Sequence, residues 1–360
     1  MKICLDLLPI PEEYGGSGRY ALNLIKGFSE LYGLYPNKYI IYLNSIIKKH
    51  VSIDNNNFII NSRSFKSKIA RIRFEQNKLV KLVNTEEFDV FHAIANILPL
   101  KINAEKTKLI ATVHDLLFLK NPTRYPITKY QYYKHYVSKT ISISHKIIVD
   151  SEYTKNDIET YFPEEKEKVR VIPLAPDPTF RPDGDNVQTE DFILTVAALE
   201  PGKGFEDLLT ALEQTFRERK IKLFIAGPKG WKNKKIMKKI LNLNKAYNGI
   251  KLLGFIPNQE LAKIYRSARL FIYPSLQEGF GLPVIEAMAS GIPVLVPDTD
   301  HYRKITGGKT SYFNPKIKDD LFLKINKIIS SEQNNSNALT WVNQYTWKDV
   351  AKKTLEVYKE

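Results

Sequence analysis

The segment Glu278-Gly-Phe-Gly-Leu-Pro-Val-Ile-Glu286 carries the two carboxylates best spaced to do chemistry in this chain. Pro283 suits a first helical turn, and Gly291 followed by Pro293 suits a helix end, so a helix is predicted to start just after the two glycines. Gly279, Phe280, Gly281 and Leu282 then present bare amides at the positive end of that helix, where an anion, most readily a phosphate, is held. Glu278 lies before the helix and Glu286 one turn inside it. Both carboxylates then point toward one ligand and accept hydrogen bonds from sugar hydroxyls. The same spacing also fits a capped helix with two solvated glutamates.

Three further clusters invite chemistry. His114 stands at the end of an apolar run, a place where a histidine is more often structural than reactive. Gly15-Gly16-Ser17-Gly18-Arg19 lacks the spacing of a dinucleotide fingerprint and predicts only a closely approached backbone loop. Asp298-Thr-Asp300 could hold a divalent ion on hard oxygens, but it follows Pro297 directly and reads better as a turn.

Positioning these residues requires strands alternating with helices, the pattern of parallel sheets covered on both faces. Strands are expected at 2–8, 39–43, 90–92, 109–114 and 146–149, and again at 192–197, 222–226, 251–254, 270–273 and 293–296. Between the two sets lies the proline-rich stretch Pro173 to Gly184, the best linker in the chain. The expected architecture is α/β: two doubly wound parallel-sheet domains, 1–176 and 177–345, facing across a cleft lined by loops from the carboxyl ends of the strands.

With those elements in place, the ordered motifs resemble the signature of retaining glycosyltransferases of the family-4 type, whose GT-B fold pairs two Rossmann-like domains. The resemblance rests on Gly15-Gly-Ser-Gly-Arg19-Tyr, Val113-His114-Asp115, Val149-Asp-Ser-Glu-Tyr-Thr-Lys155, Val171-Ile-Pro-Leu-Ala-Pro-Asp177, Leu199-Glu-Pro-Gly202-Lys203-Gly and the Glu278/Glu286 segment. Tyr345-Thr-Trp-Lys-Asp resembles the start of a helix that crosses back to the first domain, here over about 346–360. The resemblance implies that Glu286 binds the ribose of a nucleotide sugar, Glu278 the transferred sugar and Lys203 the diphosphate, with Gly202 and Gly279 to Leu282 lining the donor site. It implies that His114 lies beside the reacting sugar, with Gly15, Gly16, Arg19 and Asp115 in the acceptor or phosphate loops. No metal or other cofactor is implied. GDP-mannose is the first donor expected, a UDP-sugar the alternative, and the acceptor is a saccharide, free or polyprenyl-diphosphate-linked, in bacterial surface polysaccharide or lipopolysaccharide synthesis. One departure from the pattern is Ala198, where many relatives have an arginine.

The net charge of +15 raises nucleic acid, an anionic membrane or a phosphorylated substrate as partners. A nucleic-acid-binding protein would gain little from Glu278, Glu286 or His114, so no nucleic-acid partner is expected, whereas Ala198 leaves open a non-catalytic scaffold of the same fold that binds a nucleotide sugar. Residues 229–251 hold eight lysines and no acid, one face of a surface helix whose other face carries Ile236, Met237, Ile240, Leu241 and Leu243. Between Phe65 and Val83 an apolar stripe including Ile69, Ile72 and Leu79 is flanked by lysines and arginines, with Phe74 on the opposite face beside Arg71, Arg73 and Lys78. An exposed aromatic in a basic face is expected to dock on an anionic membrane. The 43% hydrophobic content is that of a globular protein, its apolar runs are far shorter than the roughly 18 residues of a span, and Asp6 and Pro9 break any signal-like start. The single cysteine fits a reducing cytoplasm, with peripheral contact at the inner membrane face.

Overall fold

A computed structural model describes residues 1–11, 15–51, 57–187, 191–331 and 335–360. The chain divides into two compact units, Met1–Leu174 with Tyr345–Glu360, and Ala175–Gln344. The division falls inside the proline-rich stretch, which carries neither helix nor strand.

The first unit is built on β1 (Lys2–Leu7), β2 (Lys38–Asn44), β3 (Phe58–Arg63), β4 (Val90–Ala93), β5 (Lys108–Val113), β6 (Lys146–Val149) and β7 (Val169–Val171). All seven run parallel in the order β3-β2-β1-β4-β5-β6-β7. The second unit repeats the scheme with β8 (Phe192–Val196), β9 (Lys222–Ala226), β10 (Ile250–Gly254), β11 (Leu270–Ile272), β12 (Val294–Pro297) and β13 (Ser311–Phe313), in the order β10-β9-β8-β11-β12-β13. Parallel strands need crossover helices, and helices on both faces bury the strands from both sides. Hence β8 reads Phe-Ile-Leu-Thr-Val, buried at every position. Each sheet reverses its winding between its first and fourth strands, so the loops leaving β1 and β4, or β8 and β11, diverge and open a crevice at the carboxyl edge.

The cores follow from this layering. In the second unit Phe205, Leu208 and Leu212 of the helix Phe205–Glu218 pack on Leu223, Ile225 and Ile240. In the first unit one face of the sheet gathers Cys4, Phe74, Leu79, Val83 and Phe91, and another cluster holds Val113, Leu116, Val137, Ile141 and Ile158.

Two amphipathic expectations are corrected. Phe74 is only 6% exposed, packs against Phe65 and is covered by the Arg63 guanidinium 4.5 Å from its ring centre. Ile69, expected in the buried stripe, is 64% exposed. The cause is a change of pitch. Residues Phe74–Leu79 form a π-helix between the α-helices Lys68–Arg73 and Val80–Glu86, and the wider turn takes the preceding residues, Ile69 and Phe74 among them, out of the wheel phase set by the buried Leu79, Val80 and Val83. Arg71, expected to face a membrane, instead pairs with the buried Glu75 at 2.5 Å, while Arg73 and Lys78 stay exposed. In the helix Lys234–Tyr247, Ile236, Ile240 and Leu243 are buried as the pattern requires, but Leu241 is 57% exposed. Among the described residues no helix is long and apolar enough to cross a membrane.

The helix Trp347–Lys359 packs in the first unit, against the helix Gly16–Glu30. The approach is close because Gly27 has no side chain: a Cβ there would meet the Trp347 carbonyl oxygen and stand 2.9 Å from the Ala351 Cβ. Gly27→Ala is therefore expected to destabilise the protein by about 1–3 kcal/mol through overpacking. Urea denaturation followed by tryptophan fluorescence checks this, and an unchanged midpoint would mean that the helices separate without cost.

Candidate functional site

In the second unit the crevice is flanked by the loops that leave β8 and β11, and these carry Lys203 and Glu278. The loops touch. Gly204, at φ +71°, caps the helix Phe205–Glu218, and a Cβ on it would collide with the Pro274 carbonyl. Only glycine allows that backbone and that approach together. The result is an ion pair with Lys203 Nζ 2.7 Å and 2.9 Å from the two oxygens of Glu278. Glu278 is 8% exposed and also hydrogen-bonded to Tyr273. Burial first, and then the Glu278 charge, hold the Tyr273 phenol well above its ordinary pKa, so it stays protonated and donates.

Gly281 caps the helix Leu282–Ala289, which starts where the glycine spacing predicts, with proline in its first turn. Phe280 and Leu282 are buried, and the Phe280 carbonyl lies 3.1 Å from His301 Nε2. Tyr302 donates to the Ser275 carbonyl at 2.8 Å, which fixes the far side of the same loop. Glu286 is 1% exposed, with the Tyr265 hydroxyl 3.4 Å from its Oε2. Neither glutamate is therefore a solvated helix residue. Gly202 is in the left-handed region at φ +85°, and its carbonyl accepts from the Ser275 hydroxyl at 3.2 Å. Lys229, three residues beyond β9, lies beside the β8 loop through a backbone bridge to Leu199. Asp298 is chelated by Arg303 at 2.6 Å and 2.8 Å and Thr299 caps the helix Asp300–Thr306, so Asp298-Thr-Asp300 is the capped start of a helix where a turn was expected. Among the described residues no three His, Cys, Asp or Glu side chains converge as a metal site.

In the first unit His114 follows β5 and is pinned at every polar atom. Its N–H donates to Asn96 Oδ1 at 2.8 Å, and its carbonyl accepts from the Thr154 hydroxyl at 3.1 Å. Its ring Nδ1 lies 2.7 Å from Asp150 Oδ2, and Nε2 lies 3.0 Å from the Ile94 carbonyl. Both ring nitrogens thus face acceptors, and only the doubly protonated ring satisfies both. Burial alone would push the His114 pKa down. Asp150 above all, then Asp115 and the Ile94 carbonyl, more than offset it and hold the pKa above its ordinary value. The protonated form of His114 is therefore favoured, and in that form no nitrogen is left to take a proton. Asp115 turns back on its own loop and accepts from the Leu117 amide at 3.0 Å. Gly15 and Gly16 are exposed at the start of the helix Gly16–Glu30, and Arg19 is half-buried in its first turn.

The geometry thus joins Lys203 to Glu278 and gives His114 a carboxylate partner that the sequence reading passed over. Asp150 stands directly after β6, and an acid at the carboxyl end of a buried strand is the signal that could have singled it out. Tyr273 and His301 left no such trace, since a tyrosine at a strand end and a histidine in a short helix have many uses.

The model described as Glycosyltransferase Family 4 matches residues 14–180, and that described as Glycosyl transferases group 1 matches residues 177–340. The O-antigen chain mannosyltransferase B of Escherichia coli is 21% identical over the full length of both chains. Among solved structures, a sucrose-phosphate synthase from Thermosynechococcus elongatus superposes with a TM-score of 0.75 at 17% identity, covering 100% of this chain and 98% of that one. Anabaena HepE, solved in complex with UDP and glucose, superposes with a TM-score of 0.74 at 17% identity, covering 100% and 99%.

The His114–Asp150 pair has a pH signature. A raised folded-state pKa means that its contribution is complete below about pH 6.5, the unfolded value, and is lost as pH rises through the folded midpoint. Asp150→Asn is expected to lower the His114 midpoint, read by NMR of histidine-labelled protein. An unchanged midpoint would show that Asp150 does not hold the charge.

Proposed function

The chain belongs to the family-4 glycosyltransferases of the GT-B fold, and from that premise we propose that it transfers a hexose from a nucleotide sugar with retention of anomeric configuration. The donor is GDP-mannose and the acceptor a saccharide, free or polyprenyl-diphosphate-linked, in the assembly of a bacterial surface polysaccharide. Support for mannose comes from the relative of matching length, itself an O-antigen chain mannosyltransferase. The observation that carries the reading is the Lys203–Glu278 pair at the crevice of the second sheet.

As the glycosidic bond breaks, negative charge grows on the departing diphosphate. Lys203, on leaving Glu278, and the amides around Gly279 and Gly281 meet it, and one such donor is worth about 3–4 kcal/mol. Glu278 holds the hydroxyls of the transferred sugar, and Glu286 the ribose. When the diphosphate takes Lys203, the Glu278 oxygens are released to the sugar. His114, with both nitrogens engaged, acts toward that sugar through its charge and neither as a base nor as a hydrogen-bond donor. The acceptor proton therefore passes to the leaving phosphate, which requires the acceptor to enter from the face the diphosphate leaves and so retains configuration. Neither a metal nor another cofactor takes part.

A thermal-shift screen of GDP, UDP and their sugars is expected to select GDP and GDP-mannose, and NMR of the product to show the donor's anomeric configuration. Stabilisation by UDP-glucose or UDP-N-acetylglucosamine instead would move the assignment to a UDP-sugar, and an inverted product would end the retaining mechanism. Glu278→Ala and His114→Ala are expected to lower kcat by at least about 100-fold with the fold intact, the scale of one lost electrostatic donor. Wild-type turnover in either would remove that residue from the site. Transfer is also expected to persist in excess EDTA, and its abolition would require a divalent ion.

A further inference from the structure

Four groups in the first unit form an unbroken polar line through its core. The Tyr358 hydroxyl lies 2.6 Å from His92 Nδ1, His92 Nε2 lies 2.7 Å from Thr112 Oγ1, and Thr112 Oγ1 lies 3.0 Å from the Tyr20 hydroxyl. All four residues are 1% exposed or less. They come from the helix Trp347–Lys359, β4, β5 and the helix Gly16–Glu30. The line ends at the site: the Tyr20 ring stands at 79° to the His114 imidazole with centroids 5.0 Å apart. The Trp347 ring, also on the last helix, packs against Tyr20 at 5.9 Å.

Burial, and then the charge of His114, push the His92 pKa down to about 3, so this imidazole is neutral and has one donor and one acceptor. Protons can therefore run only two ways along the line, from Tyr20 through Thr112 and His92 to Tyr358, or the reverse. Either way each inner member is satisfied, and deleting one leaves a buried neighbour without its partner. Phenylalanine at 20 and 358 and an apolar residue at 92 would fill this space without that desolvation cost. A fully connected network fixes one orientation, which apolar packing does not.

We propose that Tyr358, His92 and Thr112 are positioning residues that act on His114 through Tyr20, making the last helix of the chain part of the reaction site. This rests on the assignment of His114 to that site.

The test uses Tyr358→Phe and Thr112→Val, which keep shape and remove a hydroxyl, together with their double variant in the full chain. Each single change is expected to lower kcat about tenfold, the loss typical of an outer hydrogen-bonded support, with KM for the accepted nucleotide sugar unchanged. Because the two act through one line, the double variant is expected to lose no more than either single one. In histidine-labelled protein the ring signals of His114, identified by their loss in His114→Gln, are expected to shift in both single variants while those of the exposed His135 stay. Unmoved His114 signals, unchanged kcat, or losses that multiply in the double variant would overturn the proposal. Should the wild type turn over no nucleotide sugar, the proposed function fails, and the His114 signals still decide whether the line reaches that ring.

Discussion

Two parallel strands cannot be closed by a hairpin, and the long return this forces governs both halves of the protein. Every strand has to be followed by a crossover that packs on the sheet, so its functional loop leaves from the carboxyl end. All thirteen strands named above pair in parallel, and both sheets reverse between their first and fourth members. The reversal brings together loops that are about 75 residues apart in sequence. Lys203 and Glu278 meet for that reason, and no local propensity in either loop could achieve it.

The two units hold charge in a similar way. In one, a lysine leans on a carboxylate that a buried tyrosine also donates to; in the other, an imidazole is clamped between a carboxylate and a backbone carbonyl. Taking such groups out of water is costly unless each has a partner. Pairing them in advance gives each a partner and one orientation at a partly buried surface.

Much of this plan was readable beforehand, and what escaped has a common cause. Ten strands were recognised, the edge β10 among them, whereas β3, β7 and β13 were not, and these three are also sheet edges. An edge strand is covered less completely, so Ile-Asn-Ser-Arg in β3 and Val-Arg-Val in β7 lack the apolar continuity on which recognition depends. The glycine-flanked helix start at Leu282 was legible because backbone rules act locally. Phe74 was misread because a π-turn leaves no mark in an α-helical wheel, and Asp150 was passed over because its partner lies 36 positions away. Local rules thus located elements and glycines, while pairings made by tertiary contact remained hidden.

The placement of the final helix bears on how the protein is made. Met1–Leu174 leaves the ribosome before the segment that covers Gly27 and completes the packing around Tyr20 exists. At roughly 5–20 residues per second, synthesis of the intervening unit takes on the order of ten to thirty seconds. Throughout that interval His92 and the groove beside Gly27 lack Tyr358 and Trp347. The packing of the first unit is thus begun before the second unit is made and completed after it.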